Sequence, residues 1–149
     1  MRFLIQRVQN ASVTVENETI GSISKGLLVF VGVSNTDTRE IADKMIHKLL
    51  NLRIFSDENG KTNLNLSSVN GELLIISQFT LYADCKHGNR PSFTDAGKPE
   101  LAKALYEYVI EKCKESVAKV ACGEFGADMK ISLLNDGPFT IMLDSDVIC

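Results

Sequence analysis

No hydrophobic run in this chain of 149 residues approaches the roughly 20 residues that a membrane-spanning helix needs. The opening MRFLIQRVQN is interrupted by Gln6 and Arg7, so it reads as neither a signal peptide nor an anchor, and the expected location is the cytoplasm. The four cysteines, at 85, 113, 122 and 149, include no CxxC pair. They are expected to be reduced thiols packed as small apolar groups. Cys85 and His87 stand two apart, but a lone C-x-H without a second pair falls short of a metal site, and neither metal nor cofactor is expected. Nothing in the spacing sets a histidine beside any thiol, which leaves a cysteine nucleophile unsupported. Neither sign of charge dominates: the net charge is −3, so nucleic acid could be held only through a local basic patch. Internal repeats, low-complexity tracts and linkers are missing too, which with the length points to a single domain over 1–149.

What is present is an ordinary globular composition, 44% apolar and 23% charged, with clear periodicities. FLIQRV and ASVTVE alternate as strands do, and ENETIG reads as a turn into a short strand. GLLVFVGV (26–33) is continuously apolar, the pattern of a strand buried on both faces. The period then changes. In DTREIADKMIHKLLNL, Ile41, Ala42, Met45, Ile46, Leu49 and Leu50 form one helical stripe, with Asp37 and Glu40 spaced as an N-cap and capping box and His47 on the polar side. LRIFSD is expected to be a strand, KTNLNLSSVNG a loop, and GELLIISQFTLYAD (71–84) one long strand. A second helix starts at Pro99, with Leu101, Ala104, Leu105, Tyr108 and Val109 facing the core. VAKVACGEF, MKISLLN and FTIMLDS close the chain as strands. Two helices among seven or so strands imply an α+β fold with largely antiparallel or mixed sheets.

Three stretches could carry chemistry. SQFTLYAD offers the hydroxyls of Ser77 and Thr80, the amide of Gln78 and backbone N–H groups; strand alternation would put Gln78 with Thr80 on one face and Ser77 with Phe79 on the other. No Ser-His-Asp set accompanies it. In CKHGNRPSFTDAGK (85–98), Lys86, Arg90 and Lys98 against Asp95 give a local charge of +2, either a basic patch or a solvated loop. Residues 135–140, NDGPFT, place a glycine and a proline between two apolar runs. A proline belongs at a sheet edge, a bulge or a turn. The residues leave two readings open, a hairpin turn made by Asn-Asp-Gly-Pro, or a Gly-Pro peptide presented to a substrate.

Taken together and in this order, SQFTLYAD, GNRPSF (88–93) and NDGPFT resemble the D-aminoacyl-tRNA deacylase family of the bacterial and eukaryotic type, as do QRVQNASVTVE, GLLVFVGV and the NLRIF stretch. The resemblance runs from about Met1 to Ser145. Phe139 stands where the family commonly has valine, His87 where lysine or arginine is common, and DVIC extends past the usual end. The resemblance implies a homodimeric esterase that frees D-amino acids, and misplaced glycine, from tRNA. It assigns Ser77, Gln78, Phe79 and Thr80 to the catalytic motif, with backbone N–H groups favoured over side chains. Gly137 and Pro138, joined by a cis peptide and followed by Phe139 and Thr140, would enter the partner's pocket and exclude L-amino acids. Lys86 and Arg90 would meet tRNA phosphates. Two other classes remain in view: a nucleic-acid-binding module without catalysis, and a serine- or threonine-dependent esterase acting on small esters.

Overall fold

The computed structural model describes all 149 residues. Strand β1 runs unbroken over Arg2–Val15, followed by β2 (Glu18–Ile23) and β3 (Gly26–Gly32). Helix α1 (Arg39–Asn51), the small hairpin β4 (Phe55–Ser56) and β5 (Thr62–Leu64), and β6 (Glu72–Ser77) come next. A 3₁₀ turn at Phe79–Tyr82 leads through the 85–98 loop to α2 (Pro99–Lys114), β7 (Val120–Cys122), β8 (Met129–Asp144) and a terminal turn, α3 (Ser145–Ile148).

The main sheet is mixed, as the α+β reading expects. Its order is β2-β1-β3-β6-β7, with β8 lying against the other edge of β1. β1 is antiparallel to β2, β3 and β8, whereas β3, β6 and β7 are parallel to one another. The parallel pairs need crossovers, which α1 with its hairpin and then α2 supply. Alternation along β3 and β6 sends Leu27, Val29, Val31, Leu73 and Ile75 towards the helices. Leu28, Leu74 and Ile76 go to the opposite face, where Val8, Ala11 and Val13 of the second half of β1 cover them. β3 is therefore buried on both sides, as its unbroken apolar run requires.

In α1 the stripe is Ala42, Met45, Ile46 and Leu49, and His47 is exposed. The cap differs from expectation. Thr38, not Asp37, is the N-cap, its hydroxyl accepting from the Ile41 N–H at 3.3 Å. Asp37 is drawn inside by the Met1 α-ammonium, 2.5 Å from its Oδ1, and accepts the Ser34 N–H at 2.7 Å. In α2 the buried face is Ala102, Leu105, Tyr106, Val109, Ile110 and Cys113, rotated from the expected stripe, so that Ala104 is exposed and Leu101 and Tyr108 are only partly covered. The rotation brings the Tyr106 hydroxyl to the carbonyls of Ile75 (2.8 Å) and Gly123 (3.3 Å), satisfying a polar group that burial would otherwise penalise.

One further expectation fails, and one of the two readings of NDGPFT is excluded. The 71–84 segment is not one strand: β6 stops at Ser77 and the chain winds into the 3₁₀ turn. Gly32 permits this, since a Cβ there would lie 2.9 Å from Leu81 Cβ and 3.2 Å from the Gln78 carbonyl. Nor does NDGPFT reverse the chain. β8 continues past it along β1, pairing Asn135 with Val8 and Thr140 with Gln6. Between those partners β8 holds four residues, 136–139, and β1 only Arg7. The Gly-Pro pair thus sits in a bulge off the ladder, where the missing proline N–H costs no strand hydrogen bond.

Candidate active site

Parallel strands leave a crevice beyond their carboxyl ends, and here it is filled by a pocket of about 510 Å³. Val31 and Val33 close it from the end of β3, Ser77 and Gln78 from the end of β6. Phe79, Phe93, Phe125 and Tyr106 give it aromatic walls. Phe79 and Phe93 meet edge to face with centroids 5.1 Å apart, and both are substantially exposed, 56% and 39%. A pair of rings that packs while open to solvent is a surface on which a flat apolar group can lie.

The 3₁₀ turn decides what the motif can do. The first N–H groups of such a turn, those of Phe79 and Thr80, have no acceptor within it, and no backbone carbonyl elsewhere takes them. They are free donors beside the pocket. The side chains do not follow the expected alternation: Ser77, Gln78 and Phe79 all line the pocket, and Thr80 does not. The Thr80 hydroxyl accepts from Gln78 Nε2 at 2.5 Å, its only side-chain partner, so no base is placed to activate it. Cysteine chemistry gains nothing from the structure either: all four thiols are free, and burial pushes that of Cys113 up to about 12. No group of three His, Cys, Asp or Glu side chains is placed to hold a metal ion.

Gly137 and Pro138 are joined by a cis peptide and lie exposed, away from this pocket; within one chain the two motifs are not brought together. What organises the bulge is a residue that sequence reasoning passed over. Arg7, only 8% exposed, donates from Nε to the Asp136 carbonyl (3.1 Å), from Nη2 to the Gly137 carbonyl (3.2 Å) and from Nη1 to the Ile54 carbonyl (2.6 Å). It also pairs with the Asp136 carboxylate at 3.2 Å and lies 4.5 Å over the Phe139 ring. Asn135 Nδ2 reaches the carbonyls of Arg7 (3.0 Å) and Phe139 (3.3 Å), and Thr140 Oγ1 accepts from Gln6 Nε2 at 3.2 Å. A signal for Arg7 was present: it falls in phase with Phe3 and Ile5 on the buried face of β1, where a lone cation requires partners.

Lys86 and Arg90 occupy the exposed tip of a small ribbon closed by the Asp84–Ser92 bridge. The base of the same loop, Ala96 to Lys98, returns to line the pocket. The loop therefore connects the basic tip with the pocket mouth.

An aromatic pocket beside free backbone donors, with no nucleophilic side chain activated, defines a site that would orient and polarise its substrate. A family model described as D-Tyr-tRNA(Tyr) deacylase matches residues 4–144, and the chain belongs to that family. It is accordingly an enzyme of the hydrolase class. It is 55% identical over 145 residues to a D-aminoacyl-tRNA deacylase of Thermosipho africanus (strain TCF52B), with 97% of each chain covered. It is 58% identical over 141 residues to one of Haemophilus influenzae (strain 86-028NP), covering 95% of this chain and 97% of that one. Among solved structures it resembles one described as c-Myc DNA Unwinding Element Binding Protein, with a TM-score of 0.92 and 39% identity, covering 97% of this chain and 98% of that chain. No helix is long and apolar enough to cross a membrane.

Proposed function

We propose that the protein hydrolyses the ester linking a D-amino acid, or glycine, to the terminal ribose of tRNA, and that it does so as a homodimer. The observation that carries this reading is the aromatic pocket, lined by Phe79, next to a 3₁₀ turn whose first N–H groups, those of Phe79 and Thr80, are unengaged. The terminal adenosine lies on the aromatic walls. The ester carbonyl points at the two amides, which stabilise the oxyanion as it forms. An aminoacyl ester is already activated, and the neighbouring ribose hydroxyl assists the attacking water, so positioning supplies most of what the protein contributes. Lys86 and Arg90 meet phosphates of the acceptor end.

Chirality is checked by the 136–139 bulge of the second subunit. In a single chain it is exposed, on a strand whose far edge pairs with nothing and whose Leu134 and Met142 are 51% and 47% exposed. Such an edge, with apolar side chains along it, suits a second copy. Arg7 makes the bulge stiff enough to act as a wall. An L side chain meets the wall; a D side chain points away from it, and glycine has nothing to exclude.

The direct test is release of amino acid from D- and L-tyrosyl-tRNA, with a simple aryl ester as control. Hydrolysis of the D ester alone is expected. Equal turnover of both isomers, or turnover of the aryl ester without tRNA, would overturn the reading.

Thr80→Ala separates the mechanisms. It removes one hydrogen bond to Gln78, worth roughly 0.5–1.5 kcal/mol, and leaves the backbone donors in place, so turnover should fall no more than about tenfold. Complete loss of turnover in a folded variant would point instead to a nucleophilic threonine.

A further inference from the structure

The active-site pocket is nearly uncharged. Of the 14 residues that line it, Lys98 alone carries a charge. Its side chain is exposed and enters no ion pair, although Asp95 and Glu100 stand close to it in sequence. The backbone beneath it is held firmly. The Lys98 N–H donates to Asn35 Oδ1 at 3.0 Å, its carbonyl accepts the Ala102 N–H at 2.9 Å, and Pro99 follows with its φ fixed by the ring. The neighbouring Gly97 N–H bonds the Val33 carbonyl at 2.7 Å. A free ammonium on an anchored base is thus offered at the edge of the pocket.

The place of Lys98 along the pocket follows from the sheet order, β3-β6-β7. Lys98, where α2 begins, stands beside the end of β3, tied there by its own bond to Asn35 and by that of Gly97 to Val33. Tyr106, about 12 Å further along the helix, reaches the Gly123 carbonyl just past β7. β6, whose end leads into the turn bearing the Phe79 and Thr80 amides, lies between the two. Beyond the β7 side, past Phe125 and Gly126, the sign of charge reverses. Glu16, Glu124 and Asp128 line the neighbouring surface, and the one cation among them, Lys130, is tied to Asp128 at 2.8 Å. The pocket therefore has a cation at one end, carboxylates beyond the other and amide donors between.

We infer that Lys98 binds the phosphate on the 5′ side of the terminal adenosine, and so sets the direction in which the substrate lies across the pocket. The inference rests on the proposed function, since it presumes an aminoacyl-adenosine there. Such a substrate is charged only at its ends. The phosphodiester is an anion at one end, the α-ammonium of the amino acid a cation at the other, and the ester lies between. Lys98 attracts the first and repels the second. With the phosphate at Lys98, the ester falls towards the Phe79 and Thr80 amides and the ammonium towards the carboxylate side. Turned round, each charged end would meet its own sign. The aromatic walls do not make this distinction, because a ring presents the same face to either orientation. Lys86 and Arg90, at the tip of the loop, are left for phosphates further back along the chain.

The test compares D-tyrosyl esters of adenosine and of adenosine 5′-(methyl phosphate), which carries the single charge of the diester in tRNA. KM for the phosphorylated ester is expected to be roughly tenfold lower, the scale of one hydrogen bond to a charged group, with the gap narrowing as salt is added. In Lys98→Gln the two KM values should converge, through a rise in that of the phosphorylated ester. Lys98→Arg should keep them apart. The unacylated pair, adenosine and its methyl phosphate, gives the same comparison as inhibitors of D-tyrosyl-tRNA hydrolysis, so the result does not depend on cleavage of short esters. Equal values for the two compounds with the parent enzyme would overturn the inference and leave the proposed function standing. So would a gap that survives in Lys98→Gln, since a structural role for Lys98 would move both compounds together and leave their ratio in place. If neither the short esters nor D-tyrosyl-tRNA is cleaved, the proposed function itself fails, and this inference with it.

Discussion

Asp37→Ala is expected to lower the stability of the fold by about 3–5 kcal/mol, the cost of leaving one member of a buried ion pair without the other. The pair is the Met1 ammonium and Asp37, with side chains 0% and 2% exposed. The ammonium also donates to Ser145 Oγ at 2.6 Å, and the Ser145 N–H returns to the Met1 carbonyl at 2.9 Å. This knot holds the start of β1, the approach to α1 and the end of β8 together. Total stabilities are only about 5–15 kcal/mol, so the loss is a large fraction, and thermal unfolding should fall by roughly 10 °C. Circular dichroism on heating measures it. A shift corresponding to less than about 1 kcal/mol would show that solvent, not Asp37, satisfies the ammonium.

Arg7→Met should cost more in function than in fold. Methionine keeps a stem over Phe139 but loses the bonds to the carbonyls of Ile54, Asp136 and Gly137 and the pairing with the Asp136 carboxylate. Those bonds fix the position of the Gly-Pro bulge, the proposed wall. Displacements of about 1 Å in a positioning element can cost on the order of 100-fold, and a loss of that size in kcat/KM is expected for the D ester. If the bulge excludes the L ester as proposed, that ester should gain in relative terms, so the D-to-L ratio falls. Arg7→Lys should not restore it, because a point ammonium cannot serve carbonyls spread around a planar fork. Kinetics on D- and L-tyrosyl-tRNA at matched folded fraction decide the matter. A variant that discriminates as well as the parent would mean the wall stands without Arg7.

The elements that could be read in advance are those in which local pattern and tertiary packing agree. The α1 stripe and the doubly buried β3 are of this kind. The failures come where two local solutions were equally good. α2 carries apolar residues on adjacent rows, Leu101 and Tyr108 beside Ala102, Tyr106 and Cys113, and the row that is buried is the one whose Tyr106 hydroxyl reaches the Ile75 carbonyl. Asp37 and Thr38 are neighbouring cap candidates, and the choice was made by an ammonium 36 positions away in sequence. In the site, the SQFT and GPFT segments were visible as motifs, but their shapes were not. Asn-Asp-Gly-Pro has the chemistry of a turn, and β1 overrides it by pairing on both sides. SQFT continues an apolar strand in composition, while the end of β6 depends on the space left by Gly32. Arg7 was legible by phase alone.

The shift in register that places Arg7 opposite the bulge also constrains how the gene can change. β1 serves one core with Phe3 and Ile5 and the other with Val8, Ala11 and Val13, and β8 follows it throughout. Deleting or inserting a single codon between those positions would turn every later side chain to the wrong face and carry Arg7 off its carbonyls. Such lesions should be absent from functional variants selected out of random libraries. Tolerated length changes belong instead at the solvent-facing tip between β4 and β5, where Gly60 adopts φ +76° with open space around it. That tip is the place to splice in a label or an affinity handle.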